Sequence, residues 1–167
     1  MLARVLLILA ALGAVLVIAV AVQPAGFRIV RSATMSASAA IVFAQVNDFH
    51  RWRAWSPWEK IDPALRRTYE GAPAGSGAVY RWAGNHEVGE GVMTIIESRP
   101  SELMATNTAE FTFKPDGDRT LVTWSMEGRN DFLAKSLHLI MNMDRMIGGN
   151  FEKGLAQMKA VAEAAPR

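Results

Sequence analysis

An apolar run from Val5 to Val22, VLLILAALGAVLVIAVAV, constrains everything that follows it. No side chain in it is polar, and with Leu2 and Ala3 beyond Arg4 it is long enough to cross a hydrocarbon layer of about 30 Å as a helix. A cleaved signal peptide is the competing reading, because Ala19-Val20-Ala21 fits the small-residue cleavage pattern. The run exceeds the ~7–15 apolar residues of an ordinary signal peptide, however, which favours a retained anchor over residues 1–22. Arg4 lies on one side of the run and Arg28 and Arg31 on the other. The positive-inside rule counts both sides, and the very short amino-terminal tail tips the reading towards a periplasmic or extracytoplasmic domain.

The linker is Gln23 to Gly26, QPAG, whose Pro and Gly stop the helix and whose reach is at most ~14 Å. The domain that follows must therefore sit against the bilayer. It spans 27–164, with a frayed tail at 165–167. FRIVRSATM reads as an edge strand with Phe27, Ile29 and Arg31 on one face. Ser36 or Ser38 then caps a short helix in which Ile41, Val42, Gln45, Val46 and Phe49 recur at helical spacing, and Pro57 ends any helix by Ser56. Beyond it come ALRRTYEG, GAVYRWAG, EVGEGVMTIIES, AEFTFKP and RTLVTWSMEG, separated by turn chemistry such as APAGSG, AGN and the KPDGDR hairpin. These predict an antiparallel meander. From Asp131 to Ala164 the propensity is helical, with a stripe of Ile147, Phe151, Leu155, Met158 and Val161 or Ala162 and a kink expected at Gly148-Gly149. Strand, short helices, strands and terminal helix together make an α+β layout in which a curved sheet grips one long helix.

Charge and composition exclude several functions. With 18 Lys+Arg against 16 Asp+Glu the formal charge is +2, and no basic run exceeds Arg66-Arg67, so nothing supports a nucleic-acid partner. The chain has no cysteine, which removes disulfides, thiolate nucleophiles and thiolate metal sites. His50, His86 and His138 are scattered and form no pair at ligand spacing, so neither a metal nor another cofactor is expected.

Four phrases, in this order, resemble bacterial membrane-tethered members of the SRPBCC superfamily, the START, pollen-allergen and polyketide-cyclase group. They are VNDFHRWRAWSPWEKIDP at Val46 to Pro63, GSGAVYRWAGNHEVGEGVMTIIESRP at Gly75 to Pro100, NTAEFTF at Asn107 to Phe113, and MNMDRMIGGNFEKGL at Met141 to Leu155. The resemblance implies the helix-grip fold, with a hydrophobic cavity between sheet and terminal helix. One departure stands out: where the family has a full strand and a loop before NTAEFT, this chain has only SELMAT. An alternating sheet cannot drop one strand without reversing the next, so a stub strand is expected near Glu102 to Ala105, with a wider cavity mouth.

Three tryptophans within seven residues, Trp52, Trp55 and Trp58, sit where that cavity would open. Pro57 is expected to place Trp55 and Trp58 outside a regular helix, as core, cavity rim or membrane contact. Strand phase adds walls: Tyr80 with Trp82, Phe111 with Phe113, and Val122 with Trp124 and Met126. The phase of the strand through Gly89 and Gly91 is ambiguous, its glycines serving curvature or close approach of a helix. The candidate ligand-binding set is therefore Trp55, Trp58, Tyr80, Trp82, Phe111, Phe113, Trp124, Phe151 and Leu155. Glu90 and Tyr80 are the only acid–base candidates, and no nucleophile can be named. The leading expectation is a tethered, non-catalytic binding domain for a hydrophobic small molecule or lipid. The alternatives are a cyclase or dehydratase, as the family resemblance implies, and an interaction module with a filled core. Oligomeric state is not legible.

Overall fold

The computed structural model describes residues 1–138 and 142–165. Helix α1 (Leu2–Ala21) is followed by strand β1 (Gly26–Met35), then by α2 (Ala39–Asn47) and α3 (Trp52–Trp55). Strands β2 (Arg66–Gly71), β3 (Ala78–Ala83), β4 (Glu90–Arg99), β5 (Leu103–Thr106), β6 (Glu110–Asp116) and β7 (Arg119–Arg129) come next, and α4 (Phe132–His138) and α5 (Met143–Glu163) close the chain. The seven strands form one antiparallel sheet in the order β1-β7-β6-β5-β4-β3-β2. From β2 to β7 it is a meander; only the step from β1 to β2 crosses the sheet, and α2 and α3 carry it. This is the helix-grip fold, with α5 lying along β1.

The expected stub strand is present as β5, four residues long and wholly buried. Beside it a register shift in β4 between Ile95 and Glu97 inserts a bulge, which bends the sheet where it must curl around the helix. The alternation in β4 is resolved: Ile95 is buried and Met93 half-buried, whereas Glu90, Val92 and Ile96 are exposed. Gly91 faces Trp82 across the β3–β4 pair, and a Cβ there would lie 2.4 Å from the indole ring. Of the two expected uses of this glycine, curvature or close approach of a helix, the second is corrected: Gly91 admits an aromatic ring from the neighbouring strand. Gly89, at φ +69°, takes the turn that precedes it.

Two further expectations are corrected. Trp55 is the last residue of α3, so Pro57 ends the helix just beyond it and does not exclude it. The helical stretch after Asp131 is two helices, α4 and α5, the first started by Asp131 Oδ1 accepting from the Ala134 amide at 2.8 Å and the second by Asn142 Oδ1 accepting from Arg145 at 2.9 Å. Ser38 is the cap residue of α2, although its hydroxyl makes no capping bond. Of the anticipated tail, Pro166 and Arg167 lie outside the described residues.

Helix α5 buries Gly148, Phe151, Gly154, Leu155, Met158 and Ala162, the i, i+3, i+4, i+7 spacing of a single face. It runs unbroken through Gly148-Gly149. Gly148 instead leaves room for Arg31, which rises from the inner face of β1 and donates to Glu152 at 2.7 Å and Asp144 at 3.0 Å, fastening the helix to the edge strand. Two of these glycines should respond oppositely to alanine. At Gly149 a Cβ meets nothing within 4 Å, so Gly149→Ala is expected to stabilise the fold by about 0.5–1 kcal/mol through helix propensity. At Gly154 it would lie 2.8 Å from the Trp124 ring and 3.1 Å from Pro57, so Gly154→Ala is expected to cost about 1–3 kcal/mol through overpacking. Denaturant unfolding of the two variants checks both signs.

Candidate functional site

An apolar cavity of about 260 Å³ opens between the sheet and α5. Its size is just under the ~300–1,000 Å³ typical of small-molecule sites. Strands β3 and β4 supply one wall through Tyr80, Trp82 and Met93; β7 and α5 supply the other through Trp124, Met126 and Phe151; Trp52, Ser56 and Trp58 close it from the segment between α2 and β2. Leu65, Val88, Thr108 and Ala109 complete it from the connections. These connections lie at one end of the sheet. Leu65 precedes β2, Val88 precedes β4, Ala109 precedes β6, and Met126 is near the close of β7, which by register is the end at which β1 begins and to which α1 is joined.

Stacking fixes the walls. Trp124 and Phe151 lie face to face at 4.0 Å and 5°, and Trp58 meets Trp124 edge-on at 5.9 Å. On the opposite wall Tyr69, Tyr80 and Trp82 form a stack with successive centroids 5.5 Å apart, and His50 covers Tyr69 at 4.0 Å. Trp52 and Trp55 are anchored differently, each donating its indole N–H at 2.9 Å to a carbonyl of α2, those of Val46 and Gln45. The Trp124 N–H is buried with no acceptor among the described residues.

Five of the nine residues expected at the site, Trp58, Tyr80, Trp82, Trp124 and Phe151, line this cavity. The other four, Trp55, Phe111, Phe113 and Leu155, are buried in the core behind it. Phe111 and Phe113 do face inward, but β6 lies nearer the centre of the sheet, where α2 and α3 fill the space: Phe113 meets Phe43 and Phe111 meets both Trp52 and Trp55. Met93, Leu65, Val88, Ser56, Thr108 and Ala109 were not singled out. All but Met93 stand in connections, where no periodicity marks an inward side chain, and the signal for Met93 was available only through Gly91, whose missing side chain belongs on the same inner face.

Glu90 is exposed and on the outer face of β4, away from the cavity, because Gly91, Met93 and Ile95 take the inner positions. The carboxylate that reaches Tyr80 is Glu59, in the turn after Pro57. Its side chain is only 7% exposed; it accepts two hydrogen bonds from Arg67 Nε, at 2.8 and 3.0 Å, and a third contact pairs it with Arg67 Nη2. The Tyr80 hydroxyl donates to the same carboxylate at 3.1 Å. Burial raises the Tyr80 pKa far above its ordinary value, and the adjacent Glu59 charge adds to the shift; Tyr69 is raised for the same two reasons in the same order. Among the described residues no group of three His, Cys, Asp or Glu is gathered as a metal site would require, and the His138 side chain lies outside the described residues.

These are the only two tyrosines in the chain, so their ionisation is directly readable. Folded, both hold their protons beyond the ordinary tyrosine value of ~10; unfolded, they release them there. Above about pH 10 the unfolded chain therefore binds fewer protons, and stability is lost as pH rises from that point. Tyrosinate absorbance of the native protein is expected to stay flat through pH 10 and to appear together with unfolding. A native titration with an ordinary midpoint would contradict the buried Glu59–Tyr80 contact.

Comparison with known proteins agrees with this geometry. The family model described as polyketide cyclase/dehydrase and lipid transport matches residues 26–163. No curated protein matches the chain. Among solved structures, the KanY protein is similar at 16% identity and TM-score 0.64, covering 83% of this chain and 98% of that one. A Thermobifida fusca protein matches at 23% identity and TM-score 0.60, covering 81% and 92%. The Aha1 dimer from Colwellia psychrerythraea matches at 11% identity and TM-score 0.59, covering 83% and 97%. At such identities the likeness carries the fold alone. With the family match running from the start of β1 to the last residue of α5, the chain belongs to the polyketide cyclase/dehydrase and lipid transport family.

Proposed function

We propose that this protein is a membrane-tethered binding domain that takes a hydrophobic small molecule or a lipid into the cavity between sheet and α5, and that it does so on the extracytoplasmic side of the membrane. The observation that carries the reading is positional: the apolar cavity lies at the end of the sheet to which the apolar helix α1 is joined. A ligand that partitions into the bilayer is concentrated where the cavity opens, and tethering converts modest affinity into high occupancy. The ligand contacts in this reading are Trp58, Tyr80, Trp82, Met93, Trp124 and Phe151. The family description, which joins cyclase and dehydrase chemistry with lipid transport, supports a hydrophobic ligand.

The reading is non-catalytic. Among the described residues the one ionisable side chain lining the cavity is Tyr80, whose hydroxyl is committed to Glu59, and Glu59 is itself committed to Arg67. An open cavity also argues against a purely packed interaction module. Met93→Trp, which adds an indole to the middle of the β4 wall, tests the site: the variant should keep its fold and lose most of its uptake of an apolar fluorescent probe from vesicles. Undiminished uptake by a folded Met93→Trp variant would move the ligand site elsewhere.

A further inference from the structure

Helix α4 carries an apolar face that nothing among the described residues covers. Phe132, Leu133 and Leu137 fall within roughly 140° of the helix circumference, and their exposures are 53%, 69% and 47%. On the other side Ala134 and Lys135 are half-buried, α4 packs against α1, and Lys135 Nζ donates to the Ala21 carbonyl at 3.4 Å, the last residue of α1. The chain is fastened again just beyond, where the Asn130 amide donates to the Ala25 carbonyl at 2.7 Å. The amino-terminal end of α4 is therefore held to the short segment that links α1 to β1.

If α1 crosses a bilayer, this geometry fixes the depth of α4. A helix beside the last turn of a span lies where hydrocarbon gives way to headgroups, a layer roughly 5–8 Å thick on each side. Lys135 places its ammonium group at that level, the position at which lysines reach for the interface. An amphipathic helix there buries its apolar side chains at the headgroup–acyl boundary.

We propose that α4 is an interfacial foot: Phe132, Leu133 and Leu137 enter the surface of the bilayer that α1 crosses and set the cavity end of the sheet against the lipid. The proposal rests on the membrane-anchor reading of α1. A lipid surface is the occupant because the exposed apolar exterior of α1 borders α4, so the two form one apolar boundary.

The absence of cysteine makes every introduced thiol unique. The full chain is reconstituted in phosphatidylcholine vesicles with an environment-sensitive fluorophore at Leu133→Cys or Leu137→Cys. Leu9→Cys within α1 serves as the depth reference, and Lys114→Cys, exposed at the opposite end of β6, as the aqueous reference. The expected result is loss of emission at 133 and 137 to a quencher carried near the lipid headgroup, loss at 9 to a quencher carried deep in the acyl chains, and none at 114. Quenching at 9 with none at 133 and 137 overturns the foot and leaves the anchor standing. No quenching at 9 overturns the anchor and the foot with it. Labels at 133 and 137 that are shielded from water yet untouched by lipid quenchers show a second copy covering the helix, which also overturns the proposal.

Discussion

Trp55→Ala is expected to destabilise the domain by about 3–5 kcal/mol, the cost of deleting a large aromatic from a closed core. Trp55 is fully buried and packs against Trp52, Phe111 and Trp124 at centroid distances of 5.0, 6.0 and 5.7 Å. Its N–H also satisfies the Gln45 carbonyl, which the variant would leave buried and unpaired. Against a typical domain stability of about 5–15 kcal/mol this is a large fraction, and the melting temperature should fall by roughly 10 °C or more. Trp58→Ala should behave differently. Trp58 is half-buried, lines the cavity and touches Trp124 and Phe151 from the cavity side, so its loss should weaken ligand uptake more than it lowers the melting temperature. Thermal unfolding and probe uptake measured on both variants separate the two roles within one short tryptophan-rich segment.

Glu59→Gln is the second large effect, expected at about 1.5–3 kcal/mol, the range for hydrogen bonds to a charged group. The loss is greater than that of a surface pair because Glu59 is buried and Arg67 is 18% exposed, so the guanidinium left behind is poorly solvated. It is smaller than for a fully enclosed pair, since Arg67 retains the Leu65 carbonyl as a partner at 2.6 Å and some water. Adding Arg67→Met to Glu59→Gln should recover part of the loss, because the stranded charge is then gone while the glutamine still accepts from Tyr80. Glu59→Gln alone removes the second cause of the raised Tyr80 pKa, the Glu59 charge, so tyrosinate should appear at lower pH than in the parent. Equal stability of parent and Glu59→Gln would mean that the Glu59–Arg67–Tyr80 cluster does not brace the cavity wall.

The sheet was legible because its punctuation is chemical: Pro115-Asp116-Gly117 marks the hairpin from β6 to β7, its Pro and Asp forming the end of β6 and Gly117 the turn, and glycine-rich turns precede β3 and β4. The shortness of β5 could be deduced, since antiparallel alternation needs a strand between β4 and β6 even where only Ser101 to Thr106 remain. The break between α4 and α5 was not legible, because the stretch from Asp131 to Ile147 holds neither Pro nor Gly to mark it. Nor could phase alone divide core from cavity. Phe111 and Trp124 both face inward from adjacent strands and stack at 4.7 Å, yet only Trp124 borders open space, a difference set by how far α2 and α3 reach across the sheet. Glu59 gave no signal at all; a glutamate between Trp58 and Lys60 looks solvent-exposed until Arg67 and Tyr80 arrive from the sheet.

The central claim is that the cavity holds an apolar molecule drawn from the membrane. Native mass spectrometry of the full chain extracted in mild detergent tests it most directly, with the Met93→Trp variant measured beside it. The expected result is one apolar ligand per parent chain, absent from the folded variant. A parent chain that travels empty and takes up no member of a lipid panel, or a ligand retained equally by Met93→Trp, would contradict it.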